Sequence, residues 1–342
     1  MTISKLAREI KESPTLKLNE AAGKLRDRGE PVIHLGAGEP KSKVPLDAIL
    51  NGAAKLTTAD IRYTPTEGIS SLIKAVVRYT EESYGKVISA KNVIISNGAK
   101  HSIYNLMLTL VDPQDEVIIL APYWVSYPEI VKMAYGKPVI VASEDGRFVP
   151  SMEDIEEAMS SYTKAVIVNS PNNPSGAVYP EEFIAQIVEL CEKRNIYLIM
   201  DDIYHKLVFN GKQAVSCYKY AKDQSDSSRL IVVNGVSKMY AMTGFRIGWT
   251  VAGTKIIEAM INVQAQNMSC PSVVLQEAAA GALNGVQSGV EALRLMLQNN
   301  RDVMVNELRA FTGVKIIPPE GTFYCLPDFS AYSKDSVALS KF

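Results

Sequence analysis

Short, continuously apolar segments alternate with helical patterns between about residue 91 and residue 250 of this chain. The apolar runs are NVIIS (92–96), EVIILA (116–121), KPVIVA (137–142), KAVIVNSP (164–171), IYLIMDD (196–202), RLIVVNG (229–235) and FRIGWTVAG (245–253). The helical patterns include HSIYNLMLTL (101–110), YPEIVKMAY (127–135) and PEEFIAQIVELCEKR (180–194). Strands that are apolar on both faces and separated by helices are typical of a parallel sheet covered on both sides. We therefore predict an α/β fold with a mainly parallel sheet.

The rest of the chain follows a different pattern. Helical patterns fill residues 254–311, and two short β candidates follow, VKIIP (314–318) and TFYCLP (322–327). A chain of 342 residues exceeds what one ordinary hydrophobic core supports, so two domains are expected. The expected parts are an N-terminal arm with part of the small domain (1–44), a large domain (45–282) and a small α+β domain (283–342).

Charge and cysteine content narrow the possible functions. The 36 basic and 37 acidic residues give a net charge of −1 without a charged block, so no nucleic-acid or membrane partner is expected. The chain contains no stretch of membrane-span length. Its four cysteines are widely spaced, which favours reduced thiols in the cytoplasm over disulfides or a metal site. We expect a cytoplasmic protein whose function lies in a pocket.

Two cations stand close to apolar runs. Lys238 follows RLIVVNG almost directly, and a charge at the end of a sheet requires either solvent or a partner. Arg246 comes eight residues later, within the next apolar run, and its planar guanidinium suits a phosphate. A lone lysine at a strand end is more often simply exposed. The two cations together, at the edge where open α/β sheets bind ligands, predict an anion site.

The segment around these cations resembles a known family. SKMYAMTGFRIGW (237–249) is similar to the active-site segment of fold-type I pyridoxal-5'-phosphate (PLP) aminotransferases, class I/II, of the aspartate and aromatic aminotransferase type. Other motifs of that family recur in the same order: GAGEP (36–40), YTPTEG (63–68), SNGAKHS (96–102), APYWVSYPE (121–129), NSPNNPSG (169–176) and DDIYHKL (201–207). The resemblance covers residues 20 to 330 and implies the fold-type I architecture, with 45–282 as the PLP-binding domain.

The resemblance implies roles for residues around the cofactor ring. Lys238 corresponds to the catalytic lysine that holds PLP covalently. PLP is an electron sink that works best with its ring nitrogen protonated, and Asp201 corresponds to the carboxylate that pairs with this nitrogen. Tyr204 and Asn173 correspond to the hydrogen-bond donors to the 3'-oxygen. Trp124 corresponds to the aromatic that stacks on the ring, with a core tryptophan as the alternative.

A second group of residues is implied to hold the cofactor phosphate. Gly98, Ala99 and Lys100 lie between a predicted strand and a predicted helix, where backbone N–H groups and the helix dipole favour an anion. Ser237 and Arg246 correspond to further phosphate ligands of the family. These five residues are expected to surround the phosphate.

The resemblance also implies a homodimer with shared sites. Tyr63 corresponds to the family tyrosine that reaches the phosphate across the dimer interface, with a buried loop aromatic as the alternative. Gly38 is expected to let the substrate carboxylate approach the backbone, and Trp124 and Asn173 are expected to contact the substrate as well. The expected partners are therefore amino-acid and 2-oxo-acid substrates and a second copy of the chain.

Besides a mild change of the usual DEIY to DDIY at residues 201–204, the sequence departs from the family pattern at three places. GEPKSKVP places Lys41 and Lys43 near the expected substrate entrance, where they bind an acidic side chain or face solvent. Gly235 replaces a common polar residue three positions before the lysine. Family members continue well beyond the position of Phe342 and include an arginine, in an RLSYA-like strand, that binds the substrate α-carboxylate. Either the sequence is truncated or that arginine is lost, and we expect truncation.

These features predict a PLP-dependent aminotransferase of amino-acid metabolism that uses a ping-pong mechanism. The resemblance suggests aspartate or an aromatic amino acid as the donor and a 2-oxo acid as the acceptor. One alternative is a PLP-dependent β-lyase or decarboxylase of the same fold. Another is a catalytically impaired PLP-binding protein. An NAD-binding Rossmann domain is disfavoured because no GxGxxG follows an early strand.

Overall fold

The computed structural model describes residues 2–12, 14–36, 38–143, 148–222 and 226–339. Within these ranges, seven strands form one sheet. They are β1 (Val93–Ser96), β2 (Glu116–Ala121), β3 (Lys137–Ala142), β4 (Thr163–Asn169), β5 (Tyr197–Asp201), β6 (Leu230–Gly235) and β7 (Gly248–Val251). Each strand lies within, or within one residue of, an apolar run of the sequence, so the predicted strands of this region are confirmed.

The strand order is β1-β7-β6-β5-β4-β2-β3. Strands β3, β2, β4, β5 and β6 run parallel to one another. Only β7 runs against both neighbours, with Val93 opposite Val251 on one side and Val232 opposite Val251 on the other. The prediction of a mainly parallel sheet is confirmed, and the carboxyl ends of the parallel strands share one edge.

Helices cover both faces of the sheet and form the rest of the fold. They are α1 (Lys5–Glu9), α2 (Pro14–Asp27), α3 (Leu46–Thr57), α4 (Ser70–Tyr84), α5 (Ala99–Leu110), α6 (Ser126–Met133), α7 (Met152–Glu157), α8 (Glu181–Arg194), α9 (Thr254–Asn267), α10 (Val273–Asn284), α11 (Ser288–Arg309) and α12 (Ser336–Leu339). Short 3-10 turns lie at Ala90–Asn92, Cys217–Lys219 and Thr243–Phe245. Helices α9 to α11 confirm the helical prediction for residues 254–311.

The alternation of side chains along a strand explains why the strands are apolar throughout. In β6, Ile231 and Val233 pack in a core cluster with Ile103 of α5, whereas Val232 faces the opposite cluster with Ile187 of α8. Both faces are therefore buried, and each position requires an apolar side chain. Complete burial of one such side chain stabilises the fold by about 1.5–3 kcal/mol.

The C-terminal segment differs from the prediction. Residues 314–318 and 322–327 are expected from the sequence to be strands, but the first contains a single bridge residue, Lys315, paired with Asp328, and the second contains none. A strand requires a continuous ladder, and here the bridges at Gly321 and Asp328 only flank residues 322–327. The prediction of strands here is wrong. The last residues, 340–342, lie outside the described part of the chain, and the division into domains at 282/283 stays a prediction.

Three further features concern membrane spans, disulfides and metal sites. No helix in the described ranges is long and apolar enough to cross a membrane. The four cysteines are free; Cys191 and Cys217 are buried, and Cys270 and Cys325 are half-buried. In the same ranges no cluster of histidine, cysteine, aspartate or glutamate side chains could hold a metal ion.

Candidate active site

The ends of three parallel strands bring the main candidate residues to one edge of the sheet. Asp201 is the last residue of β5, and Lys238 lies three residues beyond the end of β6. Asn173 follows β4, where its backbone N–H donates to Asn169 Oδ1 at 2.8 Å. The structure thus brings together three residues that lie in distant parts of the sequence.

Lys238 is enclosed by a backbone carbonyl and aromatic rings. Its Nζ donates a hydrogen bond to the carbonyl oxygen of Gly38 at 2.6 Å. The same nitrogen lies 5.5 Å from the ring centre of Phe323 and 6.0 Å from that of Tyr204. Ala37, which precedes Gly38 in the GAGEP motif, lies outside the described residues.

Burial lowers the pKa of Lys238 from its ordinary value near 10.5 to about 8. The charges of Arg246 and Lys100 lower this pKa further, while Glu39 and Asp201 raise it. Burial also lowers the pKa of Lys100, again assisted by Arg246. Three cations are thus close enough to destabilise one another, which favours binding of an anion among them.

Asp201 is a buried carboxyl that accepts hydrogen bonds from neutral donors. Tyr127 Oη donates to Oδ2 at 2.6 Å, and the backbone N–H of Ile203 donates to Oδ1 at 3.4 Å. Burial raises the pKa of Asp201 to about 6, against the opposing effects of these donors and of Lys238. The carboxyl is therefore ready to accept a cationic N–H partner.

Two tyrosine hydroxyls meet beside Lys238. Asn173 Nδ2 lies at 3.5 Å from Tyr204 Oη, and Tyr204 Oη lies at 2.9 Å from Tyr324 Oη. A Cβ atom on Gly38 would come within 2.6 Å of Tyr324 Oη. Glycine at position 38 therefore lets the backbone lie close to this hydroxyl.

The turn from β1 into α5 contains a glycine, and a second glycine of β7 packs against it. Gly98, at the N-cap of α5, has φ 86° and ψ 161°, a region that only glycine occupies readily. A Cβ atom at Gly98 would lie 2.7 Å from Arg246 Nη2, and one at Gly248 would lie 2.5 Å from the backbone nitrogen of Ala99. Two glycines thus let a guanidinium and a helix N-terminus approach each other.

Arg246 was expected to lie in a strand, and that prediction is wrong. The residue follows the 3-10 turn Thr243–Phe245 with φ 53°, in the left-handed region, and β7 begins two residues later. Its Nη1 donates to the carbonyl of Thr243 at 2.9 Å. The left-handed residue turns the chain, so the guanidinium reaches Gly98 although the backbone is not extended.

The remaining candidates divide into those at this edge and those away from it. Lys100 Nζ lies 4.8 Å from the ring centre of Trp124, which is half-buried, and Ser237 is buried one residue before the lysine. Tyr63 is 92% exposed, so the alternative of a buried loop aromatic is wrong. Lys41 and Lys43 are exposed too.

Some residues at this edge were not identified from the sequence. Tyr127 lies within the quoted motif APYWVSYPE, but nothing in its spacing shows that it contacts Asp201. Tyr324 and Phe323 lie in the segment that was taken for a strand. The hydrogen bond from Asn169 Nδ2 to the carbonyl of Asp201, at 2.9 Å, joins the ends of β4 and β5. Only the fold brings these side chains to the site.

Comparison with known proteins decides the family. The family model for aminotransferase class I and II matches residues 30–341. The chain belongs to this family. It is 35% identical to the aspartate aminotransferase of Bacillus subtilis, over 96% of this chain and 83% of that protein. It is also 35% identical to the probable aspartate/prephenate aminotransferase of Thermus aquaticus, over 99% and 88% of the respective chains.

The solved structures agree with this assignment. The aspartate aminotransferase of Thermus thermophilus with maleate superimposes with a TM-score of 0.94 at 34% identity, over 100% of this chain and 88% of that one. The fold is therefore that of a fold-type I aminotransferase. Aminotransferases of class I and II use PLP, and this aminotransferase is a PLP-dependent enzyme.

The residues present fit this cofactor. The mutually destabilising cations Lys238, Lys100 and Arg246 match a phosphate dianion. The missing Cβ of Gly98 lets the Arg246 guanidinium lie against the N-terminus of α5, so both can face one anion. Asp201, buried and hydrogen-bonded to neutral donors only among the residues described, matches a protonated ring nitrogen.

Proposed function

We propose that this aminotransferase moves the amino group of aspartate, or of an aromatic amino acid, to a 2-oxo acid by a ping-pong mechanism, with Lys238 as the catalytic base. The names of the relatives from Bacillus subtilis and Thermus aquaticus support an aspartate donor. The observation that carries the proposal is the meeting of Lys238 and Asp201 at one sheet edge. Their pKa values shift toward neutrality, to about 8 and about 6.

Lys238 is suited to move a proton at the substrate Cα. With a pKa of about 8, the neutral fraction of the amine near neutral pH is far larger than that of an ordinary lysine, and the neutral amine can accept a proton. The 2.6 Å hydrogen bond to the Gly38 carbonyl holds Nζ at a defined position. Because Gly38 allows close approach of the backbone, we assign it to contact with the substrate carboxylate.

Asp201 and its neighbours hold the ring. Bound PLP supplies the electron sink that stabilises negative charge at the substrate Cα. Asp201 keeps the ring nitrogen protonated, and Tyr127 fixes the carboxylate through its 2.6 Å hydrogen bond. Tyr204 and Asn173 direct donors to the 3'-oxygen. Trp124 offers a flat face that excludes water from the ring.

We assign the phosphate to the turn between β1 and α5. Gly98 and Ala99 present backbone N–H groups at a helix N-terminus, where an anion is stabilised. Lys100, Ser237 and Arg246 complete the set with charge and a hydroxyl. The exposed Lys41 and Lys43 stay candidates for contact with an acidic substrate side chain.

The central test is the replacement Lys238→Ala. The variant should lose turnover but retain part of its PLP affinity, because the phosphate and ring contacts remain. In the unmodified enzyme, an amino acid without its acceptor should aminate the bound cofactor stoichiometrically. A β-lyase or decarboxylase would instead release product continuously, and an impaired binding protein would do neither. Normal transamination by the Lys238→Ala variant would refute the assignment.

We also propose a homodimer in which Tyr63 completes the partner's phosphate site. Its 92% exposure supports this, because a large aromatic side chain rarely stands free without a partner. Helix α3 adds exposed apolar side chains that suit a twofold interface. They are Leu46, Ile49, Leu50 and Leu56.

Mixed dimers test the shared site. Chains with Tyr63→Phe and chains with Lys238→Ala are each impaired alone. If Tyr63 acts across the interface, a mixed dimer contains one site with both changes and one with neither. Recovered activity in the mixture is the expected result. A monomer that binds PLP fully in sedimentation experiments would contradict the shared site.

Two broader assignments accompany these proposals. We propose that residues 45–282 form the PLP-binding domain, with residues 1–44 and 283–342 contributing to the arm and the small domain. We also propose a cytoplasmic location. The free thiols of all four cysteines support a reducing compartment.

A further inference from the structure

Gln264, on helix α9, is fully buried and uses its whole hydrogen-bonding capacity. Its Nε2 donates to the carbonyls of Thr66 at 2.7 Å and Ile95 at 2.8 Å. Its Oε1 accepts from Ser96 Oγ and from Asn105 Nδ2, both at 3.1 Å. Both acceptors are backbone carbonyls, so the orientation of the amide is fixed. A buried amide with every group satisfied holds its neighbours in one arrangement.

One side of this amide holds residues 63–68, which we call the Tyr63 segment. Besides the bond to Thr66, the backbone N–H of Ile95 donates to the carbonyl of Glu67 at 2.9 Å. Gly68 has φ 115°, and a Cβ atom there would lie 2.4 Å from Ile95 Cγ1, so the segment packs directly on β1. Tyr63 is therefore an exposed aromatic at the end of a firmly anchored segment.

The other side of the amide contacts β1 and α5, which flank the turn assigned to the cofactor phosphate (the phosphate turn). Ser96 ends β1 two residues before Gly98, and Asn105 lies on α5. The chain of contacts continues from Asn105 Oδ1, which accepts from Asn267 Nδ2 at 2.7 Å. Asn267 Oδ1 then lies 3.2 Å from His101 Nε2, and His101 Nδ1 accepts from the N–H of Asn97 at 3.2 Å. This network ends beside Gly98.

We infer that Gln264 is a positioning residue that acts in trans: it fixes the Tyr63 segment against its own subunit's phosphate turn, so that Tyr63 meets the partner's phosphate. The inference rests on the proposed shared site. Without the amide, Thr66 and Ile95 lose their common donor, so the position of Thr66 against β1 is less closely fixed, although the hydrogen bonds from Ile95 to Glu67 and from Gln276 to Thr64 remain. The PLP affinity that falls is that of the partner's site, because the Tyr63 side chain is exposed on the surface of its own subunit.

Mixed dimers isolate this effect. One chain carries Lys238→Ala together with Gln264→Met, and its partner is unmodified; two different affinity tags allow the mixed dimer to be purified. The only active site then belongs to the unmodified chain but receives Tyr63 from the altered one. We expect its half-saturating PLP concentration to rise by about 10- to 150-fold, the range that one hydrogen bond to a charged group provides. The rise should not exceed that caused by Tyr63→Phe in the same position.

The matched control is Gln287→Met, introduced in the same way. Gln287 accepts from Tyr240 Oη and donates to the carbonyls of Ala282 and Gly285, and none of these partners lies in the Tyr63 segment. This control should leave the half-saturating PLP concentration unchanged. An equal effect of both replacements would show a general loss of structure and overturn the inference.

The outcomes separate the two levels of the proposal. If Tyr63→Phe weakens PLP binding in trans and Gln264→Met does not, the shared site stands and the role of Gln264 is wrong. If neither has an effect in trans, the shared site and the inference are both overturned. Should the Gln264→Met chain fail to assemble, Ser96→Ala removes one contact to Oε1. Ser96→Ala should also raise the half-saturating PLP concentration of the partner's site. An unchanged concentration would count against the inference.

Discussion

The hydrogen bond from Tyr127 to Asp201 allows a direct test of the site's electrostatics. Burial raises the pKa of Asp201 to about 6, so this carboxyl is ionised at pH 8 and mostly protonated at pH 5. A hydrogen bond to a charged group contributes about 1.5–3 kcal/mol, and one between neutral groups about 0.5–1.5 kcal/mol. Tyr127→Phe should lower the free energy of unfolding of the cofactor-free protein by the larger amount at pH 8 and by the smaller amount at pH 5.

The sign of this pH dependence follows from the direction of the shift. The pKa of Asp201 is higher in the folded protein than in the unfolded chain, so the group takes up a proton on folding. Its contribution to stability is therefore greatest at low pH and is lost as the pH rises from about 4 through about 6. Loss of the Tyr127 hydroxyl raises the pKa of Asp201 further and extends this loss to higher pH.

The assay is urea unfolding at both pH values, followed by tryptophan fluorescence. Trp124 packs edge to face against Tyr127 at 5.4 Å between ring centres and reports on this region. The matched control is Tyr179→Phe, because the buried Tyr179 hydroxyl has no hydrogen-bond partner within the described ranges. Its cost should be small and equal at both pH values. An equal cost of Tyr127→Phe at pH 5 and pH 8 would refute the reasoning.

Further predictions concern the phosphate turn and the lysine. Gly98→Ala places a Cβ atom 2.7 Å from Arg246 Nη2 at a φ of 86°. It should cost about 1–3 kcal/mol in backbone strain and weaken PLP binding in titrations, whereas Gly211→Ala, at φ 71° in open space, should cost stability without changing PLP affinity. Borohydride-trapped attachment of PLP to Lys238 requires the neutral amine, so its rate should rise with pH and level off above about 8, the pKa of Lys238. A rate that keeps rising to pH 10 would show that burial does not lower this pKa.

Some features of the site follow from local sequence, and others do not. The sequence alone predicted Lys238, Asp201 and Asn173 near strand ends, because each ends or follows an apolar run. In a parallel sheet the ends of these strands share one edge. The contact from Tyr127 to Asp201 joins residues 74 positions apart, and no local pattern encodes it. The same holds for Gln264, whose four partners lie on other segments of the chain.

The sequence by itself determined which segments form the strands of the sheet and which reactive side chains follow them. Strands such as β6 are apolar at every position because both faces are buried, and this burial is visible in the residue pattern. Tertiary structure alone decided the direction of β7, the left-handed turn at Arg246 and the absence of named strands at 314–318 and 322–327. A short segment becomes a strand only where a neighbouring backbone offers a continuous ladder of hydrogen bonds. That partner, like the proton equilibria of Asp201 and Lys238, depends on what the fold packs beside each residue.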